Sequence, residues 1–282
     1  MFSECWKIPI GILKVLLIAF VLLFCACSEN NTAGTSEEAE GVIAITDKDL
    51  AGVVQKGPFV TGSSIVLKET SAAGNFKPTG REYFATTRSD SGDFVIDGLY
   101  LESQYVRLTA TGYYKRETTG ENSLCQISLN ALSDISNRNQ ININIFTHLE
   151  YYRTLALIKN GMSFEQAKKQ ARQELMKTFY YDDLAEDSEN LDINNNGEAD
   201  KALKKISSFM DYIAFGEEYG LVHWHVSDHK AYFTQYDEEP VKYCEEVQDF
   251  FDNVVEILAG DDYKRFDSQE LHYVIKGWFL ED

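Results

Sequence analysis

The apolar positions of this chain change spacing three times, and each spacing predicts a different structure. An unbroken apolar run, Val15–Phe24, follows Lys7 and Lys14 and ends at small Ala26 and Cys27. It is far shorter than the roughly 20 residues a helix needs to cross a bilayer. A basic start, an apolar middle and a small residue before a break are the order of a secretory signal, here residues 1–26. From Cys27 to Leu50 the chain is small, polar and acidic, which reads as a flexible tether.

A period of two takes over between residues 51 and 145. Ile65 and Leu67 alternate with polar partners, Asp90–Leu99 is a turn running into an alternating strand, and Val106, Leu108 and Ala110 share one face of the next strand. Gly57-Pro58 and Thr61-Gly62-Ser63 punctuate the first strands. Short alternating strands with glycine-rich turns predict a small antiparallel β-sandwich.

After Ile145 the spacing becomes helical. Thr147 and Glu150 spell T-x-x-E, a capping box opening a helix that stops at Asn160-Gly161. Ser163 and Gln166 form a second box, with Phe164, Ala167, Ala171, Leu175 and Phe179 in one apolar stripe. Glu165, Lys168, Lys169 and Arg172 fill the opposite face. Further helices are expected over 199–215, 240–259 and 268–279. The expected fold class is therefore α+β in two domains, a sandwich over 51–145 and an all-α domain over 146–282.

Four resemblances add to this reading. Leu23-Phe24-Cys25-Ala26-Cys27 resembles a bacterial lipobox, which implies cleavage before Cys27 and its diacylation. Cys27 fits better than Cys25, because Ala26 is small and Phe24 is not; the alternative is an uncleaved signal anchor. Glu29 resembles the acidic signals that send some lipoproteins to the cell surface, though an acidic linker accounts for it equally. Gly92-Asp93-Phe94 through Leu99, followed by Val106–Tyr113, resembles the transthyretin-like or carboxypeptidase-regulatory-like module, a spacer or binding unit without catalytic residues of its own. Gln55–Phe59, Ala110–Tyr114, Ile141–Asn144, Thr147–Glu150, Ala167–Ala171 and Ala202-Leu203 with Ile206-Ser207 resemble uncharacterised lipoproteins of Bacteroidetes and Fibrobacter-type bacteria. That resemblance implies the architecture and an outer-membrane location, and little about chemistry.

Composition narrows the partners. A formal net charge of −19 argues against nucleic acid and against a general attraction to anionic lipid. Aromatic residues at 13%, with only four prolines, favour ordered globular structure over a disordered stalk. Beyond Cys27 the only cysteines are Cys125 and Cys244, read either as one disulfide or as two separate buried thiols.

Four groups of residues invite a chemical reading. Asp192, Asn194, Asn196, Glu198 and Asp200 follow the first nine places of an EF-type loop, D-x-N-x-N-G-x-x-D, with Gly197 at the turn. Position 12 is Leu203, so calcium would lack its bidentate acid unless Glu189 or Asp187 replaced it; the other reading is an Asn-rich turn capping the next helix. His223, His225 and His229 crowd into seven residues with Trp224 and Asp228, either as zinc or copper ligands on a strand or as ordinary histidines. His148 is read as a packing residue and Glu150 as a cap. Tyr113, Tyr114, Trp224, Tyr232, Phe233 and Tyr236 are aromatic faces of the type that hold sugar rings, or else core.

No nucleophile elbow, zincin helix, phosphate loop or dinucleotide fingerprint occurs in the chain. The expected function is thus a non-enzymatic, lipid-anchored binding or scaffolding module for polysaccharide or an envelope protein. The rivals are a metal-dependent hydrolase built on His223–His229 and a calcium-stabilised interaction module.

Overall fold

A computed structural model describes residues 41–215 other than Asp182 and Ala185, with the strands Val222–Ser227 and Lys230–Gln235. The expected signal segment, Cys27, Glu29, His229, Tyr236, Cys244 and the helices expected after residue 240 lie outside the described residues.

Among the described residues, seven strands precede the first helix. β1 (Ile45–Gln55), β4 (Asp93–Leu101) and the short β7 (Ile143–Asn144) form one sheet in the order β4-β1-β7. β1 runs antiparallel to β4 and parallel to β7. β2 (Ser64–Ser71), β3 (Lys77–Thr86), β5 (Tyr105–Gly112) and β6 (Ile127–Asp134) form an antiparallel sheet in the order β3-β2-β5-β6. The period-two pattern is realised directly: Ile65, Leu67, Val106, Leu108, Ala110 and Leu129 are all fully buried. In register, Leu67 faces Leu108 and Ala110 faces Leu129. Leu50, Val54, Phe94 and Leu99 of the first sheet join them in one hydrophobic cluster, so both sheets contribute to a single core.

β1 begins inside the stretch expected to be tether. Val42, Ile45 and Leu50 are buried, but Thr46–Asp49 between them is polar and hides the strand. The alternation breaks there because the register shifts on both sides of Lys48, with Asp47 at φ 50°. Two glycines permit close backbone approach. A Cβ on Gly57 would lie 1.7 Å from the Lys115 carbonyl oxygen, and one on Gly92, at φ 81°, 2.4 Å from that of Val54.

Helix α1 spans Ile145–Lys159, α2 Phe164–Thr178 and α3 Glu198–Phe215, with a 3₁₀ turn at Ser188–Asn190. α2 starts where its box predicts: the Ser163 hydroxyl accepts the Gln166 amide at 3.3 Å. α1 starts earlier than its T-x-x-E suggests. Its N-cap is Asn144, whose side-chain oxygen accepts the Phe146 and Thr147 amides at 3.0 Å each, while Thr147 Oγ1 accepts the Asn144 amide at 2.9 Å. The reciprocal box is therefore Asn144 with Thr147, and Glu150 lies past the first turn. α1 ends at Asn160, and Gly161 takes φ 95°, as its glycine predicts.

Leu149 of α1, Leu175 of α2 and Leu203, Ile206 and Phe209 of α3 belong to the same core cluster as the strands. A second cluster joins Leu132 of β6 to Tyr151, Leu157, Ala167 and Ala171 of the helices. The described residues from Val42 onward fall in one compact unit, and the class is α+β. The region after residue 146 is not all helix: β8 (Val222–Ser227) and β9 (Lys230–Gln235) pair as an antiparallel hairpin. Its sequence, alternating Val-His-Trp-His-Val against Ala-Tyr-Phe-Thr, is rich in the β-branched and aromatic residues that favour strands. Among the described residues no helix is long and apolar enough to cross a membrane.

Candidate functional site

The charged face of α2, opposite its apolar stripe, is the wall of a charged cleft. Lys168 and Arg172 stand four apart on α2, and both are only 16% exposed. Opposite them lies Asp187-Ser188-Glu189 at the 3₁₀ turn, and Glu150 comes across from α1. Arg138, Ser133 and Asn137 come from the end of β6 and the loop after it. Together they line a cavity of about 520 Å³, with Phe164 at one side.

Lys168 is the hub. Its Nζ lies 2.8 Å from Glu189 Oε1 and 3.3 Å from Glu150 Oε2. Ser188 Oγ donates to the other oxygen of Glu150. Arg172 reaches Asp187 Oδ1 at 2.5 Å and the Glu186 carbonyl at 2.8 Å. Arg138 donates from Nη2 to Asp187 at 3.3 Å, and its Nη1 stands 3.9 Å from Glu189.

The two buried carboxylates are pushed apart in proton affinity. Burial, opposed by Lys168 and reinforced by the charge of Glu189, holds the Glu150 carboxyl above its usual range. Burial acts on Glu189 too, but Lys168 and Arg138 outweigh it and hold that carboxyl below its usual range. Burial works against the Lys168 ammonium, and the two glutamates more than restore it, so its proton is held more tightly than usual.

Two hydrogen-bonding groups in this cleft have no hydrogen-bond partner. Ser133 Oγ is buried and unbonded, and so is Arg138 Nη1. Ser133 is 1% exposed and lines the cavity, and no group among the described residues meets its hydroxyl. A buried hydroxyl and a buried guanidinium N–H, beside an aromatic ring, can hold a polar ligand that supplies oxygen atoms.

Of the candidate site residues named from sequence, Glu150 and the two acids offered to complete the calcium loop, Asp187 and Glu189, line the cleft, and the others fall elsewhere. Asp192 Oδ1 accepts from Gln55 Nε2 at 2.7 Å and from the Asn194 amide at 2.8 Å. Asp200 accepts the Asp192 amide at 2.8 Å and the Gly197 amide at 3.2 Å, closing the turn and capping α3. Asn194, Asn196 and Glu198 are exposed. The loop thus has the geometry of the turn-and-cap reading. Among the described residues no group of three or more His, Cys, Asp or Glu side chains is placed to hold a metal.

His223 and His225 lie two apart on β8, paired with Thr234 and Tyr232. Cys125 is buried and disulfide-bonded. Tyr113 is 41% exposed, whereas Tyr114 is fully buried and stacks on Phe59 at 6.1 Å. His148 is fully buried, consistent with its packing role.

Glu150, which the sequence explains as a cap, and Asp187 and Glu189, which it offers to calcium, are placed by the fold in the cleft. Ser133, Arg138, Lys168 and Arg172 carry no sequence signature of a site. The one available signal was the basic pair Lys168 and Arg172 on one helical face, followed by the acidic run Glu186–Glu189. Comparison of the chain with family models, curated proteins and solved structures returns no match, so the functional reading rests on geometry.

Proposed function

We propose that this chain is a lipid-anchored cell-envelope binding module, held at the outer membrane through Cys27, whose cleft takes the saccharide of an envelope polysaccharide. In this reading the two sheets are a transthyretin-like sandwich, and the helical region builds a binding cleft against β6. The observation that carries it is the pair of unbonded groups, Ser133 Oγ and Arg138 Nη1, in a polar cleft with Phe164 on its wall. Sugar hydroxyls and ring oxygens are matched by such donors and by an apolar ring face. Opposed shifts like those of Glu150 and Glu189 also separate an acid from a base in enzymes. Here both are almost fully buried, at 1% and 2% exposure, and tied to one lysine, which favours a fixed scaffold over proton transfer to a substrate.

The test uses the full chain in detergent against a panel of envelope-type oligosaccharides, with titration calorimetry on any hit. Arg138→Ala and Ser133→Ala are each expected to weaken binding about tenfold, the scale of a lost hydrogen bond to a charged or buried group. Binding by neither the wild type nor the variants overturns the saccharide reading, as does binding unchanged in both variants. The anchor is checked separately: Cys27→Ala is expected to move the protein from the membrane to the soluble fraction.

A further inference from the structure

A second buried charge cluster lies away from the cleft residues, and its geometry is that of a reaction. Lys56, just after β1, has no exposed surface. Its Nζ lies 3.0 Å from Glu117 Oε2 and 3.6 Å from Asp211 Oδ1, with the three side chains 0%, 3% and 0% exposed. The ring of Tyr114 sits 5.1 Å from the same nitrogen. Asp211, on α3, receives Arg116 Nε at 3.2 Å, Thr118 Oγ1 at 2.5 Å and the Tyr114 hydroxyl at 3.4 Å. Ser207 Oγ donates to the Lys56 carbonyl at 2.6 Å and also contacts the Glu117 carboxylate. Three chain segments therefore bring an amine, an acyl carbon and a second carboxyl together, away from water.

An ion pair in such a place gives up the hydration of both partners. An amide in the same place carries no net charge and leaves Arg116 to balance Glu117.

We propose that Lys56 Nζ and Asp211 Cγ condense into an intramolecular isopeptide bond, with Glu117 as the proton shuttle. Glu117 takes a proton from the Lys56 ammonium, and the neutral amine attacks Asp211 Cγ. Arg116 and Thr118, already on the Asp211 oxygens, hold the charge that gathers there in the tetrahedral intermediate. Glu117 hands its proton to the departing oxygen, the C–O bond breaks, and the nitrogen gives up a second proton. The Nζ has lost two protons and Asp211 one oxygen, which leave together as water. Ammonium and carboxylate become amide and water, and no oxidant or cofactor is consumed. Burial, against the pull of Lys56, holds the Glu117 carboxyl above its usual range, which suits a group that must both accept and return a proton. The bond would join the end of β1 to α3 and close most of the described chain into a covalent loop, removing entropy from the unfolded state.

The experiment is peptide mapping of the reduced, full-length protein. Trypsin does not cut after an acylated lysine. The linked form is expected to give one branched peptide joining residues 49–68 to residues 206–230, lighter than the two parts by one water. Glu117→Gln is expected to lose that species, and Lys56→Arg, which keeps the charge but not the primary amine, must lose it completely. Circular dichroism and a melting curve show that each variant is folded before its map is read. Asp211→Asn gives a further readout, since attack on an amide releases ammonia and yields the same branched peptide. Recovery of 49–56, 57–68 and 206–230 as separate peptides from folded wild type, with none linked, overturns the proposal and leaves a buried ion cluster. Linkage undiminished in folded Glu117→Gln overturns the shuttle.

Discussion

His148 is fully buried; its Nδ1 accepts the Asn130 amide at 3.2 Å, and its Nε2 has no hydrogen-bond partner. Burial drops its proton affinity from the ordinary 6.5 to about 4. The unfolded chain therefore binds a proton that the folded one refuses, and stability falls as pH drops from 6.5 to about 4. The full shift corresponds to about 3 kcal/mol. Urea unfolding of wild type and His148→Gln across that window checks this: the variant should lose less stability, and parallel losses would clear His148. Glu150 has the opposite sign. Its carboxyl is raised from 4.5, so its contribution is present below 4.5 and is lost as pH rises through the folded value. Glu189 is lowered from 4.5; its contribution is present above 4.5 and is lost as pH falls through the folded value. None of these signs is readable from residue type, because burial produces the first two and the neighbouring charges of Lys168 and Arg138 produce the third.

Among the elements, the start of α1 shows best how local pattern and long-range contact compete. T-x-x-E at Thr147–Glu150 is a sound capping signature, yet the helix begins three residues sooner. Asn144 wins because its side chain makes two sets of bonds at once. Its oxygen accepts the helix amides, and its Nδ2 donates to the Ser188 carbonyl at 2.7 Å. Asn142 does the same two residues earlier, bridging the Val53 amide at 3.1 Å and the Leu191 carbonyl at 3.0 Å. The Ile141–Asn144 stretch is thus a seam between β1, α1 and the 3₁₀ turn. Asn144→Ala is expected to cost about 2 kcal/mol, the upper end for a lost N-cap, since it also strands a buried carbonyl. A chemical-denaturation midpoint reads that cost. A change within experimental error would mean that Thr147 caps the helix unaided.

At the scale of the whole molecule, Lys168 ties α2 to α1 and to the 3₁₀ turn through Glu150 and Glu189. Lys168→Met would leave two carboxylates facing each other out of water, and removing one partner of a buried pair costs about 3 kcal/mol or more. Adding Glu150→Gln should recover part of that loss, because one of the stranded charges is then gone. A double-mutant cycle in urea reads the coupling. Simple addition of the two effects would show that Lys168 and Glu150 are not energetically joined. The same network leaves Ser133 Oγ and Arg138 Nη1 without a hydrogen bond, Nη1 standing 3.9 Å from Glu189.

The α+β class, the strand faces of Ile65, Leu67 and Val106–Ala110, the Ser163 cap and the Gly161 stop follow from the chain alone. Each depends on contacts between near neighbours and on which face of an element is apolar. The polar start of β1, the earlier cap of α1 and the hairpin after residue 222 were less legible, because register shifts and tertiary bonds override local pattern there. The cleft and the Lys56 cluster were not legible at all. Lys168, Arg172, Lys56 and Glu117 are ordinary surface residues by composition, and only folding takes them out of water and sets their partners. The tertiary structure alone decides which charges are buried, and burial is what turns a common ion pair into a candidate for chemistry.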